Sequence, residues 1–599
     1  MKQRLVIVMG VAFAMLVGVL GLAGPASAAG DAGISATKLE KNTKKAKKKA
    51  KKVCKKAKKL SKSKKATSKA KKSAKKSCAK AKKNSKKLSK KLKYTNAQYF
   101  DVCQRGCKYR TVQDGANAAA TWQFKNKKRK ATVRVQPGTY REGVLLRGKT
   151  EKRNFDGLTI MGVTKAKKPN KNARAVILEG KDAKTVLKGN EPNWRPGDAT
   201  TQPANNAIDA EDIDGLVLKN MWARNYENNT FFVWASNVAE DNSHCSDYVM
   251  NNLVSSDTRS YGLFARNCTG GKMINSEGWN HGDSAFYIGE TPCDTEAWTN
   301  KGPNPGVCQQ DPNWTLIDNV KSHQGSLGYS GTNSKYVKIS NSDFYNNGAG
   351  LVPNTLDSEK FEPSGWLIFE NNNIFWNNYN YYSTGSEIET VIGNGNPTGI
   401  GIMLYGTDGV IVRDNNIFGN EQWGVGAFSG PELFGVNDGD DAKNMNNQFL
   451  NNKMGRNGTD PNGNYDFFTD YSGGGNCWSG NTSSTFAPGN GSVPISTIYP
   501  ACPQPTVIND DVSSFNFSAG LQVDTTIPDF ANEPWRNLET IFGLAEVRPS
   551  ELQECSWNTS STHPAFTNED GESFTQARTD PVSAQACTDL ENRPSPWNP

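Results

Sequence analysis

The feature that most constrains this chain is a recurring phrase, in which an apolar segment is followed by an asparagine and, five residues later, by a second asparagine or a near relative. The first members are separated by 32, 23, 44, 22, 31, 43 and 37 residues, so the period is about 22 residues with insertions. Such a period predicts stacked coils, each of which buries its apolar edge only against its neighbours. The pairs are Asn220/Asn225, Asn252/Asp257, Asn275/Asn280, Asn319/Gln324, Asn341/Asn346, Asn372/Asn377, Asn415/Asn420 and Asn452/Asn457.

The fixed asparagine has a physical reason in a coil stack. The chain must bend sharply between strands, and asparagine tolerates turn conformations that other residues resist. Its amide both donates and accepts, so identical amides on successive coils can form hydrogen-bonded ladders. Apolar alternation beside each asparagine, as in Val337–Ser340, argues against a disordered Asn-rich tract. The register is open by one residue at Asn372 and Asn415, where Asn371–Asn373 and Asp414–Asn416 offer alternatives.

Residues 1–28 have the organisation of a secretory signal peptide. A basic start, Met1–Arg4, precedes an apolar run, Leu5–Ala23, and an Ala-x-Ala end at Ala26–Ala28. A membrane anchor formed by the same run is the alternative. We therefore expect a secreted protein that is extracellular or associated with the cell wall, without an integral membrane anchor.

Twelve cysteines in a chain with an export signal predict disulfide bonds. Pairing of nearest neighbours gives six bonds. The bond Cys245–Cys268 spans 23 residues, the length of one coil, and would join adjacent coils, whereas Cys293–Cys308 would close a loop inside the 44-residue interval. The predicted pairs are Cys54–Cys78, Cys103–Cys107, Cys245–Cys268, Cys293–Cys308, Cys477–Cys502 and Cys555–Cys587.

The net charge of +13 conceals two opposite parts. Residues 38–93 hold 29 Lys and one acid, Glu40, which gives +28; residues 94–599 hold 41 Lys and Arg and 57 Asp and Glu, which gives −16. Residues 29–93 are therefore a Lys-rich basic arm, either disordered or folded as a helical hairpin. The arm is either a solvated tail or a counter-ion for polyanions. Its lack of interleaved aromatic rings favours anionic cell-envelope polymers over nucleic acid.

A change of composition marks the start of a folded domain. Tyr109–Ala119 has the pattern of a short amphipathic helix, Ala131–Val135 that of a strand, and Pro137–Tyr140 follows. Together with the Asn coils, this opening resembles the right-handed parallel β-helix proteins of the pectate-lyase-like superfamily over residues 105–490.

The resemblance implies an all-β fold. It would be a right-handed parallel β-helix, a solenoid whose N-terminal helical cap covers the open strand edges. We assign residues 94–500 to the β-helix and residues 501–599 to a C-terminal cap and an acidic tail rich in Pro, Ser and Thr.

Coil stacking brings distant residues together, because equivalent residues on successive coils lie about 4.8 Å apart. The second residue after the first Asn gives a charged column of Glu277, Lys321 and Asp343. The sixth and eighth residues add His281 and Asp283 from the coil of Glu277. The fourth residue gives a largely aromatic column: Arg224, Ser256, Trp279, His323, Tyr345 and Trp376.

This layout predicts a polysaccharide site. Aromatic faces pack against sugar rings, while carboxylates and basic groups act on hydroxyls, ring protons or the glycosidic oxygen. Paired carboxylates favour hydrolysis, whereas Lys or His beside a uronate favours the proton abstraction shared by lyases and C5-epimerases. The candidate catalytic residues are Glu277, His281, Asp283, Lys321, His323 and Asp343, and the candidate substrate-binding residues are Trp279, Tyr345, Trp376 and Trp298.

Each part of this layout has a structural alternative. Aromatic columns can simply stack, charged columns can be exposed salt-bridge ladders of little energetic value, and His281 and Asp283 are equally typical of a turn. Alginate C5-epimerases of the resembled fold carry an Asp-Pro-His-Glu motif and galacturonan hydrolases a Gly-His-Gly; this chain has neither. Two function classes stay open: an enzyme acting on a glycan, and a non-catalytic envelope adhesin or scaffold that docks through the Lys-rich arm.

Calcium is the one cofactor for which the sequence offers ligands. Hard oxygen ligands occur in two loops, and the second series alternates like a calcium loop but has Tyr465 where an EF-hand has glycine. No His/Cys spacing is typical of zinc, and no Gly-rich loop fits a nucleotide. The candidates are Asp438, Asp440 and Asp441, and separately Asp460, Asn462, Asn464 and Asp466.

Overall fold

The structure is a computed structural model. It describes residues 36–62, 67–95, 98–127, 129–165, 168–190, 195, 197, 199–236, 244–292, 298–299, 302–303, 313–356, 359–378, 399–420, 423–428, 443–458, 461–463, 465–469, 473–482, 484–486 and 495–503. The predicted signal peptide and nearly all of the predicted C-terminal tail lie outside these ranges. The chain divides into two compact units, residues 1–98 with 126–130, and the remainder.

The basic arm contains two long helices, Ala36–Lys62 and Ser68–Thr95. Of the two sequence alternatives, the helical hairpin is therefore the one observed. Thr67 caps the second helix, because its hydroxyl accepts a hydrogen bond from the N–H of Ala70 at 3.3 Å.

A seam of small residues holds the hairpin together. In the second helix, Ala70, Ala74, Cys78 and Ala81 recur at helical spacing and are less exposed than most of the lysines around them. The Cys54–Cys78 disulfide joins the two helices along this seam. Apart from Lys71, the hairpin lysines whose side chains the structure describes are exposed, on a frame that needs no large apolar core.

The remainder of the chain is dominated by parallel strands. Among the described residues, the larger sheet, called the first sheet below, has 20 strands, and the second sheet has 12. Neighbouring strands come from successive coils and pair in parallel, as Val337–Ser340 does with Thr315–Asp318, except that Lys184–Val186 and Thr201–Pro203 at the edge of the second sheet are antiparallel. This arrangement is a right-handed parallel β-helix, with the handedness of nearly all parallel crossovers. The predicted fold is confirmed.

The first sheet contains Gln98–Val102, Ala131–Val135, Gly138–Tyr140, Thr159–Gly162, Val176–Glu179, Val217–Tyr226, Val249–Thr258, Lys272–Ile274, Glu277–His281, Thr315–Asp318, Lys321–His323, Val337–Ser340, Asp343–Tyr345, Ile368–Glu370, Asn373–Phe375, Ile411–Arg413, Asn416–Phe418, Gln448–Leu450, Lys453–Met454 and Cys477–Ser479. The second sheet contains Glu142–Arg147, Lys184–Val186, Thr201–Pro203, Ile208–Glu211, Phe231–Trp234, Leu263–Arg266, Ser284–Gly289, Leu327–Thr332, Ala349–Asn354, Ile400–Tyr405, Trp423–Phe428 and Tyr465–Thr469.

Shorter elements complete the fold. Two-stranded pairs join Cys245–Ser246 to Cys268–Thr269, Trp298–Thr299 to Gly302–Pro303, and Ser364–Gly365 to Thr407–Asp408. Helices span Val112–Lys125 and Ile495–Ile498, and 3-10 turns span Ala173–Ala175 and Gly455–Gly458. Within the described ranges, no helix has both the length and the apolar character needed to cross a bilayer.

The Asn phrase marks the bends of each coil. A left-handed residue separates the two first-sheet strands, and another ends the second strand five positions later: φ is 51° at Asn341 and 52° at Asn346. This conformation is costly for most residues and less so for asparagine. The coils that begin at Asn220, Asn252, Asn275 and Asn319 follow the same rule.

The predicted register is wrong by one residue in the last three of the eight coils. There the left-handed residues are Asn371 and Trp376, Asp414 and Gly419, and Asn451 and Arg456, each one position before the predicted pair. Sequence spacing did not separate the two choices, because these coils carry Asn or Asp at two adjacent positions.

The displaced asparagines form ladders inside the coils. The side-chain amide of Asn372 donates to Asn415 at 3.0 Å, that of Asn415 to Asn452 at 3.0 Å, and that of Asn452 to Asn481 at 2.9 Å. A second ladder runs through Asn347, Asn377, Asn420 and Asn462 at 3.2, 3.1 and 2.9 Å. The predicted amide ladders are therefore present. In the earlier coils they join the predicted bend residues, where Asn252 donates to Asn220 at 2.9 Å and Asn319 to Asn275 at 2.8 Å, and in the later coils they occupy the inward position after the bend. Each inward amide is satisfied on both sides, which avoids the ~1–3 kcal/mol cost of an unpaired buried polar group.

A helix covers one end of the apolar interior. Val112–Lys125 packs on the strand Ala131–Val135 and contributes buried residues to the same core. The Glu142 carboxylate accepts from the N–H groups of Val112 at 2.7 Å and Gln113 at 3.0 Å, which caps the helix. The sequence predicts this cap with bounds at 109–119, slightly earlier than observed.

Four of the six predicted disulfides are confirmed: Cys54–Cys78, Cys103–Cys107, Cys245–Cys268 and Cys477–Cys502. Cys245 and Cys268 lie opposite each other on paired strands of adjacent coils, as their spacing predicts. The predicted bonds Cys293–Cys308 and Cys555–Cys587 lie outside the described residues.

Candidate functional site

The predicted columns lie on the outer face of the first sheet. Glu277 pairs in register with Lys321, and Lys321 with Asp343. The intervening residues Ser322 and Phe344 are buried in the coil interior, so the charged residues point outward. Side chains scattered through the sequence thus form one continuous strip, called the charged strip below.

An aromatic column runs beside the charged strip. The ring centroids of Trp279 and His323 are 5.6 Å apart, and those of His323 and Tyr345 are 5.1 Å apart, with nearly parallel planes. The stack continues to Phe375 at 5.2 Å and to Phe418 at 5.0 Å. All five rings are at most 2% exposed. Their faces cover one another, so this column stiffens the strip and offers no open ring face to a sugar.

The last predicted member of the column is wrong. Phe375, and not Trp376, lies in register with Tyr345. Trp376 is the left-handed bend residue and meets Phe375 and Phe418 edge-on. Trp298 lies on the short strand paired with Gly302–Pro303, and its side chain is outside the described part of the chain.

Glu277 is the residue of the charged strip that interacts with the largest number of charged neighbours among the described residues. Its carboxylate lies 3.3 Å from Nη2 of Arg174 and 3.5 Å from Nε2 of His323. Burial alone would raise the pKa of Glu277, but the hydrogen bond and charge of His323 and the charges of Arg174 and Lys321 bring the pKa below its ordinary value. At neutral pH the group is therefore a carboxylate that accepts hydrogen bonds and has no proton to give.

The neighbours of Glu277 fix its position. The other ring nitrogen of His323, Nδ1, lies 3.1 Å from the amide oxygen of Gln324, so both nitrogens face a partner. Arg174 comes from the 3-10 turn Ala173–Ala175, and its guanidinium lies 5.1 Å from the ring centroid of Trp279. The guanidinium thus covers the end of the aromatic column while it faces Glu277.

Asp343 continues the charged strip. Asn373 on the next coil donates to its carboxylate at 2.7 Å. Burial raises the pKa of Asp343, although the Asn373 hydrogen bond and the Lys321 charge act in the opposite direction. The strip therefore alternates acidic and basic groups along successive coils.

His281 lies away from this face. It is fully buried, and its two ring nitrogens contact the hydroxyls of Ser255 at 3.1 Å and Thr258 at 2.7 Å. Burial lowers the pKa of His281 to about 3, so the ring is neutral at physiological pH. A neutral imidazole with both nitrogens satisfied in the coil interior has a structural explanation, and we leave it out of the proposed sites.

Asp283 belongs to a different cluster, beside the second sheet. Its carboxyl is hydrogen-bonded by Tyr261, and burial raises its pKa to about 6 despite that bond. Nearby, the Tyr287 hydroxyl lies 2.8 Å from each carboxylate oxygen of Glu359. The sequence pattern does not predict that Asp283 lies near Tyr261 and Glu359, because the number of residues between the Asn phrase and the second sheet varies from coil to coil.

The sequence pattern misses two residues of the candidate sites, Arg174 and Glu359. Arg174 precedes the coil of Glu277 by 103 residues and lies in a connection without periodicity. Glu359 lies in an insertion between coils; the only signal for it is the acidic run of Asp357, Glu359 and Glu362.

Two of the predicted calcium ligands have structural partners. Asn462 is a rung of an amide ladder and donates to Asp466 at 2.7 Å, and Asp466 accepts from the Thr485 N–H at 2.9 Å. The residues Asp438, Asp440, Asp441, Asp460 and Asn464 lie outside the described ranges. Among the described residues there is no group of three or more His, Cys, Asp or Glu side chains arranged to hold a metal ion. Calcium binding stays a prediction.

Comparisons with known proteins give matches among solved structures only. No family model matches this chain, and no curated protein matches it. The mannuronan C-5 epimerase AlgE6 A-module of Azotobacter vinelandii is similar at 12% identity and TM-score 0.38, over 63% of this chain and 96% of that one. A GH87 alpha-1,3-glucanase catalytic unit of Streptomyces thermodiastaticus is similar at 12% identity and TM-score 0.34, over 64% of this chain and 67% of that one. We draw no functional inference from likenesses at this level.

The ionic setting of Glu277 predicts a pH-dependent contribution to stability. Its folded pKa lies below the ordinary value of 4.5, so its contribution is present above pH 4.5 and is lost as pH falls through the folded pKa. We therefore expect Glu277→Gln to lower the free energy of unfolding at pH 7 more than at pH 3, measured by urea denaturation. A loss that is equal at the two pH values, or larger at pH 3, would contradict the assigned role of Arg174 and His323.

Proposed function

We propose that this protein is an exported β-helix protein that binds polysaccharide on its outer surface and acts on it. The observation that carries the proposal is the pair formed by Arg174 and Glu277. The two groups are 34% and 27% exposed and 3.3 Å apart on a strip that continues through Lys321 and Asp343.

This pair matches the chemistry of sugar hydroxyls. A hydroxyl both donates and accepts, a guanidinium only donates, and an ionised carboxylate only accepts. A strip of alternating charge can therefore satisfy hydroxyls along a chain without preferring an anionic polymer. Strand pairing holds these groups in one register beside the stacked rings, so little side-chain freedom is lost on binding.

The disulfides support export. Four bonds are present among the described residues, and such bonds persist in oxidising compartments. This agrees with the signal peptide that the first 28 residues predict.

Binding to the charged strip is testable with insoluble or immobilised glycans. We expect the full chain to co-sediment with at least one member of a panel of xylan, alpha-1,3-glucan, mannuronan and polygalacturonate. Arg174→Ala and Lys321→Ala each remove a charged hydrogen-bond donor and should weaken that binding roughly tenfold. Lys453→Ala is the matched control, because Lys453 lies in the same column beyond Asn416. Equal losses in all three variants, or none in the first two, would refute a site at the strip.

A second candidate function is docking through the basic arm without catalysis. The observation that favours it is the disulfide-joined hairpin, whose two helices contain 27 lysines and one acid, Glu40, by sequence. A rigid, strongly positive surface attracts polyanions such as the teichoic acids of a cell wall.

Docking by the arm has its own test. Retention on teichoic-acid-bearing cell walls should fall steeply as salt rises, since exposed charges are screened within ~8 Å at physiological ionic strength. Deletion of residues 37–93 should abolish this retention, and walls stripped of teichoic acid should not retain the full chain. If the deleted form sediments as well as the full chain, the arm does not dock the protein.

A further inference from the structure

The second sheet carries a separate aromatic path on its outer face. Phe232, Phe264 and Tyr287 lie in register on three successive coils. Phe232 stacks on Phe264 at 4.5 Å and on Trp234 at 5.5 Å, with the planes of Phe232 and Trp234 only 5° apart. Trp234 and Phe232 are partly exposed, Phe264 is 8% exposed and Tyr287 is 1% exposed. Unlike the column on the first sheet, this path leads from the surface to a buried end.

Two carboxyls stand at the buried end of the path. The hydroxyl of Tyr287 contacts both oxygens of Glu359 at 2.8 Å, and Tyr261, whose ring centroid is 4.8 Å from that of Tyr287, hydrogen-bonds to Asp283. The Oδ1 atom of Asp283 is buried without a hydrogen-bond partner. Tyr261 and Ser284 hydrogen-bond to the same carboxyl, so this oxygen is the one acceptor of Asp283 that the protein leaves unpaired, at a cost in stability.

Several hydrogen bonds fix the position of the loop that carries Glu359. The Asn333 amide donates to the carbonyl oxygens of Leu356 at 2.8 Å and Glu359 at 2.7 Å, and its oxygen accepts from the Leu356 N–H at 3.1 Å. Lys335 is 1% exposed, and its ammonium group donates to the carbonyl oxygens of Phe361 and Pro363 in the same loop. Burial of an ammonium group costs free energy unless it is hydrogen-bonded, and these two hydrogen bonds offset that cost while they fix the position of the loop.

A glycine makes room for the tyrosine hydroxyl. A Cβ atom at Gly289 would lie 2.3 Å from the Tyr287 hydroxyl oxygen, so any other residue would displace the group that contacts Glu359. Tyr287, Gly289 and Glu359 therefore fit together as one unit.

The charges of the cluster favour a neutral ligand. Arg266 lies 2.7 Å from Glu290, which is 1% exposed, so its guanidinium is already paired. The charges of Glu290 and Glu359 both act on this guanidinium, and Asp283 adds its charge at Glu359. A uronate would bring a further negative charge against these three carboxyls.

The two carboxyls differ in proton affinity. Burial raises the pKa of Glu359 to about 7, helped by the charges of Glu290 and Asp283, whereas burial raises that of Asp283 to about 6. Between pH 6 and 7 the favoured state is therefore a protonated Glu359 beside an ionised Asp283. Acid–base catalysis requires a protonated group that acts as the acid and an ionised group that acts as the base, and Glu359 and Asp283 fit these two roles.

We propose that Glu359 and Asp283 form an acid–base site that hydrolyses a neutral glycan bound along Trp234, Phe232 and Phe264. This inference rests on the proposed polysaccharide function but places the chemistry on the other sheet. Glu359 gives its proton to the glycosidic oxygen as the bond from that oxygen to the anomeric carbon breaks. Water forms the new bond to the anomeric carbon, and its proton passes to the Asp283 carboxylate. Tyr287 and Tyr261 are positioning residues for the two carboxyls.

Turnover tests the inference, with xylan and alpha-1,3-glucan as neutral probes and polygalacturonate and mannuronan as uronate probes. The full chain should release new reducing ends from a neutral probe, with a bell-shaped pH profile whose limbs lie near 6 and 7. Glu359→Gln and Asp283→Asn should each lower kcat by ~10²–10⁴-fold, the usual share of an acid–base group. Trp234→Ala should raise KM and leave kcat nearly unchanged, since its ring only binds.

Two controls separate catalysis from a structural role. Glu362→Gln changes a glutamate three residues beyond Glu359 in the same loop and should keep full activity. Tyr287→Phe removes a hydrogen bond that lowers the pKa of Glu359, so it should move the alkaline limb of the profile to higher pH. A purely structural tyrosine would change stability without moving that limb.

The outcomes also separate this inference from the proposed function. If the protein binds a glycan through Arg174 and Lys321 but releases no reducing ends from any probe, the catalytic site is refuted and the binding function stands. Unsaturated products from a uronate probe, or Glu359→Gln with wild-type turnover, would likewise overturn the inference. Release of reducing ends by a protein whose glycan binding is unaffected by Arg174→Ala and Lys321→Ala would instead refute the strip and leave the catalytic site intact.

Discussion

The whole structure depends on parallel pairing of successive coils in a fixed register. Two devices hold that register: left-handed bends five residues apart, and inward amides that hydrogen-bond from coil to coil. A slip of one residue would turn every apolar side chain outward and break each amide rung, so the register is strongly specified. The arrangement of side chains on both outer faces depends on this register, because residues that are distant in sequence become neighbours only when the coils pair in it.

The same kind of side chain acquires different chemistry on the two faces. Glu277 meets Arg174, His323 and Lys321, and these partners hold its pKa below the ordinary value despite burial. Glu359 meets a tyrosine hydroxyl and two other carboxyls, and burial then raises its pKa to about 7. The partners of Glu277 outweigh its burial and keep it ionised, whereas the neighbours of Glu359 add to the effect of burial and favour its protonated form.

The fold was predictable because its signal repeats. Eight Asn phrases gave the coil, the columns of Glu277, Lys321 and Asp343, and the neighbours Trp279, His323 and Tyr345. The prediction was one residue too late at Trp376, because the adjacent asparagines of that coil offer two equivalent bends and only packing chooses between them. Arg174 and Glu359 lie in connections whose length varies from coil to coil. Their positions therefore cannot be predicted from the repeat. They are set by tertiary hydrogen bonds, such as those that Asn333 makes to the loop of Glu359.

Cross-linking of neighbouring coils tests the fixed register most directly. Lys321 and Asp343 are paired on adjacent coils, and Asp343 is paired in turn with Asn373. Cysteines at 321 and 343 would have Cα atoms about 4.8 Å apart, within disulfide range, whereas cysteines at 321 and 373 would be roughly 10 Å apart. Mild oxidation followed by mass spectrometry of unreduced peptides should find the 321–343 bond and not the 321–373 bond. Absence of the first bond, or equal yields of both, would contradict the stacking on which both faces depend.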